Sequence, residues 1–162
     1  NRVIIPQQLR SMGLALLLVV ILTAASLKNV KAGLKAVIPI VITLAGLYGV
    51  MGYAGIDLSV VTSIMSGLTI GVGIDYAIHY TSVFMYLKRK KNADPVFNAM
   101  SFVATPVLAN AIGLSVGFSV MVFSPLQTHT TLSILMWVTM VLSALFSLSL
   151  LPTLLGARRK TY

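Results

Sequence analysis

Gly67-Leu68-Thr69-Ile70-Gly71-Val72-Gly73-Ile74-Asp75-Tyr76-Ala77-Ile78-His79-Tyr80 sets one carboxylate in the middle of an apolar run from Ser59 to about Leu87. A run of this length crosses ~30 Å of hydrocarbon as a helix rising ~1.5 Å per residue. Asp75 stands 16 residues after Ser59 and 13 before Lys88, which places it ~20 Å or more from either helix end. A charged aspartate at that depth costs on the order of 2.5–3.5 kcal/mol even on a lenient insertion scale. A neutral carboxyl acting as glue between helices returns about 0.6 kcal/mol on average. The loss exceeds the return, so Asp75 reads as a functional residue. Hydrocarbon favours its neutral form, which suits a group that takes up and releases a proton.

Outward from this helix the chain keeps the same solvent. It has 162 residues, 57% of them hydrophobic and only 9% charged, with a mean hydropathy of +0.96. Soluble domains average about 25% charged residues, so lipid is the solvent here. Apolar runs cover about residues 9–27, 37–55, 59–87, 103–123 and 132–155. Segments of this length predict an all-α integral membrane protein, a five-transmembrane-helix bundle across 9–156; the short alternating strands of a β-barrel are not seen. Residues 1–8 read as an extracytoplasmic lead-in and 157–162 as a basic tail. Pro39 is expected in the first turn of the second span, where its missing N–H is tolerated. The segment from Asp94 to Ala104 is expected to lie along the membrane interface.

The formal net charge of +9 is topological information and no sign of a nucleic-acid partner. Lys28, Lys31 and Lys35 occupy one loop, Lys88 to Lys91 a second, and Arg158, Arg159 and Lys160 the C-terminus. With five spans these regions share one side, so that side and the C-terminus are expected in the cytoplasm, in a multi-pass cell (inner) membrane protein. There is no cysteine, and no Cys/His cluster or nucleophile–base pair indicates a metal or an enzyme. Because the chain starts at Asn1 with no signal segment, it is expected to be a piece of a longer polypeptide.

At 100° per residue Ile64, Leu68, Gly71, Asp75, His79 and Ser82 share one stripe of the third helix. His79 is one turn from Asp75, where an imidazole can relay a proton; a satisfied polar residue near the inner interface is the plain alternative. Tyr76 is turned about 100° away and is expected to face a different partner. Gly67 and Gly71 have small-xxx-small spacing, as do Gly113 and Gly117 in the fourth span, and with Gly73 they predict close helix approach around Asp75. Asn110 puts an amide in the fourth span that must find partners among helices. Asp57 reads as a cap for the third helix and Asp94 as a turn residue.

Taken together, Gly67 to Tyr80 resembles the GxGxDY-type helix of resistance-nodulation-division (RND) transporters, in particular the MMPL-like exporters of lipids and hydrophobic compounds. Gln7 to Ser11 resembles the lead-in to that family's eighth helix, Gly117-Phe118 a Gly-Phe in its eleventh, and Leu151-Pro152-Thr153-Leu154-Leu155 the end of its twelfth. The resemblance implies helices eight to twelve of a twelve-helix transporter. It also implies that Asp75 carries protons, with Tyr76 as its cross-helix hydrogen-bond partner. The matching Asp-Tyr helix and the extracytoplasmic domains would lie in an N-terminal membrane half, on the same longer chain or a separate subunit. No cofactor is implied, the proton gradient supplying the energy; membrane lipids and a hydrophobic substrate are the other expected partners. Two related architectures stay open: a sterol-sensing-like lipid sensor, and a SecDF-like auxiliary of protein export. A bundle without its other half is expected to expose the Asp75 stripe.

Overall fold

The computed structural model describes residues 4–156, which form α1 (Ile4–Ser26), α2 (Val30–Tyr53), α3 (Val60–Arg89), α4 (Pro95–Ser119) continued by a 3-10 turn (Val120–Phe123), and α5 (Gln127–Gly156). All five are long and apolar enough to cross a membrane. The expected lead-in at 1–8 is already helical from Ile4 onward, and the tail at 157–162 lies outside the described residues.

Local chemistry sets the ends. Ser59 and Thr62 form a reciprocal capping box at the start of α3, with the Ser59 N–H donating to Thr62 Oγ1 at 2.8 Å. Ser59, and not Asp57, is therefore the cap. Asn29 caps α2 by accepting from the Ala32 N–H, so that helix starts at Val30, well before 37, and Pro39 falls inside it rather than in its first turn. Asp94 accepts from the Phe97 N–H, and Pro95 follows as the first helical residue. The segment from Asp94 to Ala104 is thus the opening of α4, continuous with the fourth span, and no separate interfacial helix forms there. At the far end of α2, Gly55 takes φ +66°. Its N–H and that of Ile56 turn back to the Gly52 and Met51 carbonyls, closing the helix with a left-handed residue that glycine adopts without strain.

Packing follows from the order of the helices. α2, α3 and α5 form the centre, α1 leans on α2 and α3, and α4 on α3 and α5. The core is made by Ile40, Leu47, Met65, Tyr76, Met136 and Met140 with their neighbours. Going round α3 the neighbours are α1, α2, α5 and α4; among the described residues α1 and α4 do not meet. One side of α3 is therefore uncovered. Contact between α1 and α2 depends on Gly33, where an added Cβ would sit 2.9 Å from the Ala24 backbone. Gly33→Ala is expected to push α1 away and cost about 1–3 kcal/mol, the usual range for overpacking, seen as a lower thermal midpoint in detergent.

Candidate functional site

The uncovered side of α3 carries the sequence-defined stripe. Ile64, Leu68, Gly71, Asp75, His79 and Ser82 are all exposed, and so is Gly67. One helix period explains this: the neighbours cover the arc centred opposite Asp75, leaving every residue at its own angle in the gap between α1 and α4. The expected exposure of the stripe in this five-helix bundle is what the structure has.

Tyr76, one residue on, is turned into the bundle and almost wholly buried at 1% exposure. Its hydroxyl donates to Met140 Sδ on α5 at 3.7 Å, and the Asn110 side chain from α4 lies beside it. The 100° step between adjacent residues thus separates their surroundings, Asp75 facing outward and Tyr76 toward α4 and α5. His79 is on the Asp75 side. Asn110, Gly113 and Gly117 form an exposed stripe of α4, so the polar and small residues of α3 and α4 border one open surface.

Of the five glycines, only Gly73 packs tightly within this chain. A Cβ there would meet Ser143 Oγ at 3.1 Å and Ile40 Cγ1 at 3.4 Å, which is how α2, α3 and α5 come together just below Asp75. At Gly67, Gly71, Gly113 and Gly117 a Cβ would meet nothing within 4 Å. The close approach expected at these four does not occur among the five helices, because they lie on the faces turned away from α5 and α2.

Two features beside the stripe escaped the sequence. Gln8 Nε2 donates to the Tyr48 hydroxyl at 2.8 Å, and that hydroxyl shares a hydrogen bond with Ser66 Oγ. These two hydrogen bonds join α1, α2 and α3 at one end, where Gln8 and Ser66 line a cleft of about 280 Å³ that reaches Gly67. Deeper, Thr69 and Thr139 hydroxyls lie 3.1 Å apart between α3 and α5. The available signal was polar residues recurring on the inner faces of apolar runs, which hydropathy averages away. A model of the MMPL family matches residues 7–159 of the chain.

Proposed function

The chain belongs to the MMPL family and forms a membrane transporter domain, and from that premise we propose that it is one membrane half of a proton-driven exporter of lipids or other hydrophobic compounds. Asp75 takes a proton from the outer side of the membrane and gives it up toward the basic, cytoplasmic end. Because its charged and neutral forms prefer different surroundings, each transfer shifts the balance between two arrangements of the helices around it. Tyr76 and Asn110 steady the inner side of the relay, and His79 lies one turn along the exit path. The open surface between α1 and α4 receives a matching Asp-Tyr helix of the N-terminal half, whose extracytoplasmic domains handle the substrate.

One observation carries this reading: a carboxylate at mid-span faces away from its own bundle, on a stripe where Gly67 and Gly71 leave room for another backbone. Left in lipid, that carboxylate would be a costly exposure; against a second helix it becomes a buried, partnered group. The full-length protein reconstituted into vesicles with an internal pH dye is expected to move protons when a hydrophobic substrate is supplied. A lipid sensor without transport gives no such flux, and that result would overturn the proposal.

A further inference from the structure

The basic residues that define the topology are not spread evenly over their end of the bundle. Lys31 and Lys35 of α2 and Lys88 and Arg89 of α3 line one groove of about 580 Å³, floored by Phe84 and closed by Leu155 of α5. No carboxylate lines it; Asp94 borders a separate cavity that shares Phe84, Lys88 and Leu155. Two of the cations are held in place. The Lys35 ammonium donates to the Leu154 carbonyl, which ties that cation to α5. The Lys88 ammonium lies 5.8 Å from the Phe84 ring centre, within cation–π range.

Four positive charges in one groove repel each other, and a bound anion reverses that. A free phosphate would satisfy the charges but leave the apolar floor bare, at the level where the helices enter the hydrocarbon. A ligand with an anionic head and an acyl chain satisfies both. Basic pockets between transmembrane helices bind anionic lipid head groups on this principle. We propose that the α2–α3–α5 groove is a binding site for an anionic phospholipid, its head group among Lys31, Lys35, Lys88 and Arg89 and its chain over Phe84 and Leu155. The site is remote from Asp75 and does not depend on the proton mechanism. A lipid there ties the ends of α2, α3 and α5 together.

The test is native mass spectrometry of the full-length protein in detergent, titrated with phosphatidylglycerol or phosphatidylcholine. Phosphatidylglycerol is expected to bind more tightly. The double variant Lys31→Gln/Arg89→Gln removes two exposed charges, so its fold is kept. Each charge near the head group is expected to contribute about fivefold, so the pair lowers phosphatidylglycerol affinity about twenty-five-fold. Lys90→Gln/Lys91→Gln, two cations of the same end that do not line the groove, leaves it unchanged, and millimolar inorganic phosphate does not displace the lipid. Equal loss in both double variants, equal binding of the two lipids, or displacement by phosphate would each overturn the site.

Discussion

Asp75→Asn is expected to bring proton-coupled export to background while the protein still inserts, folds and reaches the membrane in normal amount. The amide matches the carboxyl in size and can still bond across a helix interface, so packing is preserved and only the exchangeable proton is lost. Asp75 faces the open side of α3, outside the core formed by α2, α3 and α5. Stability should hold or rise, since a neutral side chain avoids up to about 2.5–3.5 kcal/mol of insertion cost borne by an ionised one. Export of a hydrophobic substrate from energised vesicles, with a thermal melt of the same preparation, separates the two effects. Export at the unmodified rate in a well-folded Asn variant would remove Asp75 from the mechanism. Asp75→Glu keeps a titratable group one methylene further out and is expected to retain part of the activity.

The five spans were legible in the sequence because each is a long, predominantly apolar run bounded by charge or by Gly, Pro and Ser. The same holds for the gathering of Lys28 to Lys35 and Lys88 to Lys91 at one end. The Asp75 stripe was legible too, since a single helical period fixes which residues share an angle. Helix starts were read less well. Hydropathy marks where a chain becomes oily, whereas a helix starts where a side chain satisfies its free N–H groups. Asn29 and Asp94 do that several residues before the hydrocarbon begins, and this put Pro39 and the segment from Asp94 to Ala104 in the wrong setting. The glycines show a different limit. Spacing announces that a face is smooth but not what lies against it. A Cβ added at Gly73 would meet Ser143 and one at Gly33 would meet Ala24, whereas at Gly67 and Gly71, on the same helix as Gly73, it would meet nothing within 4 Å among the described residues. The direction of Tyr76 follows from the 100° step, but its contacts with Met140 and Asn110 depend on the packing of α4 and α5 against α3.

Those bare glycines lead to the second large effect, Gly71→Leu. Within the chain the change is harmless: a Cβ at Gly71 has no neighbour within 4 Å, so the five helices should pack as before and the thermal midpoint of the bundle should not fall. Across the open surface the outcome differs. A leucine one turn from Asp75 holds a docked helix away by the thickness of its side chain, and hydrogen bonds to the carboxylate are lost within an ångström or so of separation. Export should fall to near background although Asp75 is intact. Gly49→Leu is the matched control: Gly49 is also exposed with nothing within 4 Å, but on α2, away from the stripe. It adds the same volume to the surface and should leave export unchanged. Gly73→Leu is the opposite control, expected to destabilise the bundle by forcing apart α3, Ser143 and Ile40. The three variants assayed side by side for export and melting distinguish a docking face from lipid-exposed surface and from core. If Gly71→Leu and Gly49→Leu export equally well, no helix docks on the Asp75 stripe, and a carboxylate facing lipid alone cannot be the relay.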